Sequence, residues 1–103
     1  MLPAVETGER SDGSPVLRAG GHFMAWLADH KSAEPDTLVV RVDPADREHL
    51  LEEAPETYYL TDYYAPRAVV LVRLSQVDRD VLFDLLSVSR RMTLAKIWEV
   101  EPQ

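Results

Sequence analysis

The sequence predicts an α+β two-layer sandwich, an antiparallel sheet of about five strands with two helices collected on one face. Three observations carry that expectation. The first part of the chain reads as strands separated by tight turns, two helix starts follow, and a nearly continuous Val/Leu strand lies between the helices. At 103 residues there is room for one hydrophobic core, so a single domain over 1–103 is expected.

Val5 to Arg10 is a weak first strand. It ends at Ser11-Asp12-Gly13-Ser14, whose Asp-Gly step favours the left-handed backbone of a tight hairpin. Pro15 to Ala19 follows, then a Gly20-Gly21 turn. His22 to Ala28 alternates Phe23, Ala25 and Leu27 against His22, Met24 and Trp26, which makes a strand apolar on both faces. A loop from Asp29 to Asp36 holds His30, Lys31 and Pro35. Thr37 to Val42 is the clearest strand, with Leu38, Val40 and Val42 on one side and Arg41 facing the other way.

Asp43-Pro44 is a strong helix start, because Asp43 accepts from a free backbone N–H and the missing N–H of Pro44 costs nothing there. The stem of Arg47 with Leu50, Leu51 and Ala54 then forms one stripe, and Pro55 ends the run. Glu56 to Pro66 is irregular and aromatic. Ala68 to Leu74 suits a strand covered on both faces. A second helix, capped by Asp78, aligns Val81, Leu82, Leu85, Leu86 and Ser89. It is expected to close near Arg90-Arg91, where positive charge complements the helix dipole. Beyond Lys96 a tail is expected, 97–103, with Trp98 as its anchor.

Composition narrows the chemistry. There is no cysteine, which excludes disulfides, thiolate nucleophiles and zinc-cysteine sites. No apolar run approaches the roughly 20 residues of a spanning helix, and no basic-then-apolar leader opens the chain, so a cytoplasmic protein with no membrane partner is expected. The net charge of −7 opposes binding to a polyanion, although it also serves solubility. Its distribution is uneven: residues 1–52 carry five Lys/Arg against ten Asp/Glu, while 67–96 carry six against three. Only the C-terminal half is expected to present a basic face.

No catalytic constellation emerges. Gly8 and Gly13 have phosphate-loop spacing, but Ser14-Pro15 leads into a strand instead of Lys-Ser/Thr at a helix mouth. His22, His30 and His49 fall on separate elements; the first two are ~26 Å apart if the strand ran straight between them. No metal, no cofactor and no enzymatic activity are expected. The most informative stretch is Tyr58-Tyr59-Leu60-Thr61-Asp62-Tyr63-Tyr64, which gathers all four tyrosines just before the basic run that begins at Arg67. Tyrosine beside arginine can hold planar ligands, and it can equally lid a core.

Several stretches, in order along the chain, together resemble one family: Leu2-Pro3-Ala4-Val5-Glu6, Gly13-Ser14-Pro15-Val16, Gly21-His22-Phe23-Met24-Ala25, Thr37-Leu38-Val39-Val40-Arg41-Val42, Pro55-Glu56-Thr57-Tyr58-Tyr59, Thr61-Asp62-Tyr63-Tyr64, Val70-Leu71-Val72-Arg73-Leu74 and Ser89 to Lys96. The pattern is similar to the MmcQ/YjbR family of small bacterial proteins described as DNA-binding. That resemblance implies a CyaY-like sandwich whose hairpins flank nucleic acid. Members often carry His-Tyr where this sequence has Tyr63-Tyr64, a change that preserves aromatic stacking. They also usually open with a helix that is missing here. Its absence implies an apolar patch covered by a homodimer partner, or a start further upstream.

The leading expectation is therefore a non-enzymatic module that binds DNA weakly and in a salt-sensitive way. Tyr63 and Tyr64 would stack, Arg67, Arg90, Arg91 and Lys96 would contact phosphate, and Lys31 would lie at a wing tip. Its alternative is a protein-interaction or dimerisation module working through the sheet face. The first expectation requires the arginines of the final third to converge beside the tyrosines.

Overall fold

The structure, a computed structural model, describes the backbone of residues 5–11 and 13–100 and the side chains of those residues through 95. Eight elements follow in order: β1 (Val5–Glu9), β2 (Pro15–Ala19), β3 (His22–Leu27), β4 (Thr37–Arg41), α1 (Pro44–Glu53), β5 (Tyr58–Tyr59), β6 (Val69–Arg73) and α2 (Arg79–Val100). The six strands form one antiparallel sheet in the order β1-β2-β3-β4-β6-β5. The α+β expectation holds, with one strand more than the five expected. That strand, β5, is two residues long and pairs Tyr58 with Val72 and Tyr59 with Leu71. A segment so short leaves no alternation to read.

Turn chemistry sets the first hairpins. Gly20 and Gly21 both have positive φ, 59° and 82°, as the tightest two-residue hairpin requires, and they place Ala19 opposite His22. Asp12 lies outside the described residues, but its neighbour Gly13 has φ 88° and donates its N–H to the Arg10 carbonyl.

One irregularity redirects β3. Leu17 pairs with Ala25 while Arg18 pairs with Phe23, so Met24 is an extra residue opposite β2. Strict alternation would set Met24 apart from Ala25. Instead both are fully buried, the Met24 carbonyl accepts from Ser89 Oγ of α2 at 3.5 Å, and the Phe23 and Trp26 rings lie 5.9 Å apart. The bulge corrects the alternation expected for this strand.

Each side of the sheet has its own cluster. Ala25, Val40, Val42, Val70, Val72 and Tyr58 pack with Leu50, Leu51 and Ala54 of α1 and Leu85 and Leu86 of α2. Val39, Leu71, Val69 and Tyr64 pack on the other side with Trp26, Ala28, Ala33, Tyr59 and Leu60. Both helices therefore lie on one face, and loops cover part of the other.

The helices begin where expected. The Asp43 side chain accepts from Ala45 N–H ahead of Pro44, and the Asp78 carbonyl accepts from Leu82 N–H. α2 does not close near Arg91 but runs on to Val100, and its fully buried Thr93 shows packing beyond that point. The backbone at Trp98 is helical where a tail was expected; its side chain is not among those described. Burial that continues past the arginines, at Thr93, outweighs the end signal given by two cations. Val81, expected in the buried stripe, is 46% exposed at the stripe's edge.

Candidate functional site

The sheet face opposite the helices gathers aromatic rings and guanidinium groups. Alternation along β2 and β4 puts Arg18 on the side of Val16 and Arg41 on the side of Val39. The bulge brings Phe23 to this side with Trp26. Arg18 lies over the Phe23 ring, 5.0 Å from guanidinium carbon to ring centre, and Arg41 Nη1 donates to the Phe23 carbonyl at 3.5 Å. A side chain at position 8 would crowd this arrangement, since a Cβ on Gly8 would fall 2.5 Å from Arg18 Nη1.

The loop between β5 and β6 supplies the other half. Tyr63 is 42% exposed, stacks on His30 with ring centres 3.5 Å apart and planes at 8°, and lies under Arg67 at 4.9 Å. Tyr64 is buried beneath it, edge-on to Tyr63 at 4.9 Å. Burial pushes the Tyr64 phenol above its usual value. The backbone of His30 and Asp29 pulls the other way, although among the described residues the hydroxyl makes no hydrogen bond of ordinary geometry. Between strand and loop lies a pocket of about 350 Å³ lined by Arg10, Phe23, Trp26, Asp29, Tyr63, Tyr64 and Arg67. Arg10 Nη2 donates to Asp29 Oδ2 at 2.7 Å on its wall.

Two further arginines hold this loop region in place. Arg47, reaching from α1, directs Nη1 at the carbonyls of Ala65, Arg67 and Val69, at 3.2, 2.8 and 3.3 Å. Arg73 grips Glu34 through two bonds of 3.0 and 2.8 Å and donates to the Pro55 and Glu56 carbonyls. Its guanidinium also sits 4.3 Å from the Tyr59 ring centre. That hydrogen bonding holds the Glu34 carboxyl below its usual range and raises Arg73. Arg73 is thus a structural clamp with its donors engaged.

A family model, YjbR, matches residues 1–92. The chain belongs to the YjbR family. No curated protein and no solved structure matches it.

The expected site residues of this YjbR protein divide. Tyr63, Tyr64 and Arg67 come together at the pocket, although Tyr64 is too deeply buried, at 2% exposure, to offer a ring face. Lys31 is exposed in the β3–β4 loop, next in sequence to His30. Arg90 and Arg91 belong to α2, in the layer on the other side of the sheet. Arg91 lines a cleft of about 510 Å³ between the helices with Asp46, His49, Leu50, Tyr58 and Asp84. The Lys96 side chain lies outside the described residues. Arg67 lies beside Tyr63, but Arg90 and Arg91 do not join it, which corrects the expectation that the basic residues of the final third converge there: a helix packed against one face of a sheet cannot deliver its side chains to the other.

The four tyrosines divide too. Tyr58 and Tyr64 are core. Tyr59 uses its hydroxyl as a bracket, accepting from Glu34 N–H at 2.7 Å and bonding Thr37 Oγ1 at 2.6 Å. Only Tyr63 is exposed.

The basic residues of the candidate site come mainly from the half of the chain expected to lack them. Arg10, Arg18 and Arg41 were missed because the first half of the chain, counted as a whole, is acidic. Much of that acid goes elsewhere: residues 43–56 alone carry six Asp/Glu against one Arg, and they form α1 and its exit. The shared parity of Arg18 and Arg41 with the non-helical face was readable; the bulge that adds Phe23 was not.

Proposed function

We propose that this YjbR protein is a non-enzymatic DNA-binding module that receives a single strand on the sheet face away from its helices. One observation carries the reading. Arg18, Arg41 and Arg67, none paired with a carboxylate among the described residues, surround the rings of Phe23, Trp26 and Tyr63. Guanidinium groups neutralise phosphates and release counterions, while aromatic rings take the faces of unpaired bases. A duplex hides those faces, which favours the single strand. With no base-reading helix in reach, binding is salt-sensitive and rests mainly on the backbone.

The competing reading, a protein-interaction module on the same sheet face, drew its support from the acidic whole. Six of its Asp/Glu lie in residues 43–56, α1 and its ends, so the acidity argues less for a cationic partner on the sheet. The test is fluorescence anisotropy with an oligothymidine of about fifteen nucleotides and the matching duplex, titrated with salt from about 50 mM. Single-strand binding with a log K against log salt slope of roughly −2 is expected for three arginine contacts. Absence of binding at about 50 mM salt, where phosphate contacts are strongest, hands the sheet face to the interaction reading.

A further inference from the structure

We infer that the pocket between β3 and the tyrosine loop holds one nucleobase turned out of the strand, and that it favours guanine. This deepens the proposed function and rests on it. The pocket's volume of about 350 Å³ lies near the lower end of the roughly 300–1,000 Å³ usual for small-ligand sites, which suits one planar heterocycle better than a run of bases. Its walls are aromatic on two sides, Phe23 and Trp26 from β3 and Tyr63 and Tyr64 from the loop.

What distinguishes this pocket from the surrounding platform is its polar pair. The Arg10–Asp29 bridge stands on the wall, with Asp29 more than half exposed at 53% and Arg10 at 23%. Arg10 engages one carboxylate oxygen, Oδ2. A carboxylate has about four acceptor positions, so capacity remains. A carboxylate inside a DNA-binding face costs phosphate affinity, and a base edge rich in donors offsets that cost. Guanine presents two adjacent donors, N1–H and the N2 amino group, beside the O6 acceptor. The carboxylate of Asp29 accepts from the former and the guanidinium of Arg10 donates to the latter. Thymine offers one donor between two acceptors, and both adenine and cytosine place a single amino donor beside a bare ring nitrogen. Only guanine gives the carboxylate two hydrogens side by side.

Anisotropy with three oligothymidines settles it: one unmodified, one with a single central guanine, and one with hypoxanthine at that position, which lacks the N2 amino group. The guanine strand is expected to bind roughly tenfold more tightly than the unmodified one, with hypoxanthine between them. In Asp29→Asn the tenfold preference disappears while oligothymidine binds as well as before or better, because a negative charge has been removed. Equal affinity for all three strands in the wild-type protein overturns the guanine pocket and leaves single-strand binding standing. A guanine preference that survives Asp29→Asn overturns the assignment to Asp29. If no strand binds at low salt, the proposed function fails and this inference with it.

Discussion

The two faces of the sheet were built from the same alternating strands, yet they serve opposite ends. On the helical side Val40, Val42, Val70 and Val72 disappear under α1 and α2, and residues 43–56, α1 with its two ends, carry six Asp/Glu against one Arg. On the other side only part of the sheet is covered, and what remains open gathers aromatic rings and arginines, with the carboxylates of Glu6 opposite Arg18 and Asp29 at the pocket. A net charge of −7 therefore describes neither face. Overall charge governs solubility and long-range steering, whereas contact is decided by the local patch.

The contrast is most strongly tested by reversing charge on each side in turn. Arg18→Glu, Arg41→Glu and Arg67→Glu together should weaken single-strand binding by about 100-fold or more at low salt, since three phosphate contacts become repulsions. Arg90→Glu with Arg91→Glu should change it by less than about twofold, as those groups lie in the helical layer. Equal losses in both variants would dissolve the distinction between the faces. Next in size, Trp26→Ala should cost about tenfold in affinity by removing a stacking surface, measured beside far-ultraviolet circular dichroism to confirm folding.

Arg73→Met probes the clamp instead of the surface. It should lower the urea midpoint modestly, because two backbone carbonyls and Glu34 lose their donor at a solvent-exposed site. Gly8→Ala sharpens the picture at finer scale. Its Cβ should push the flexible end of Arg18 off Phe23, reducing affinity about two- to fivefold with the melting temperature nearly unchanged.

The smallest effect is on acid stability. The folded-state pKa of Glu34 is depressed, so its contribution is complete above the usual value of 4.5 and drains away as pH falls below that through the folded value. Arg73→Met should flatten this part of the stability-pH curve. At the alkaline end the sign is opposite in course: burial raises Tyr58 and Tyr64, so stability is intact below pH 10.0 and declines as pH rises beyond it.

Most of the fold was legible because its signals are local. Asp43-Pro44 and Gly20-Gly21 fix a helix start and a hairpin through backbone sterics that need no tertiary context. The true end of α2 was hidden, because it depends on packing that continues to Thr93. The site was half legible. Tyr63 and Arg67 are close in sequence and stay close in space, whereas Arg10, Phe23 and Asp29 meet them only after the sheet is assembled. Arg90 and Arg91 misled because proximity along the chain says nothing about which layer a helix joins.

Three positions separate Phe23 from Trp26, an odd interval that in a regular strand would send the two rings to opposite sides. They are neighbours solely because Met24 is surplus to the pairing with β2. The aromatic and cationic surface is thus governed by residue count at one spot as well as by residue type. Exchanging Met24 for another side chain preserves the parity, and excising it removes the bulge yet leaves Phe23 two positions from Trp26 on one face, still opposite Arg18; only pairing Met24 into the ladder in place of Phe23 would turn that ring inward.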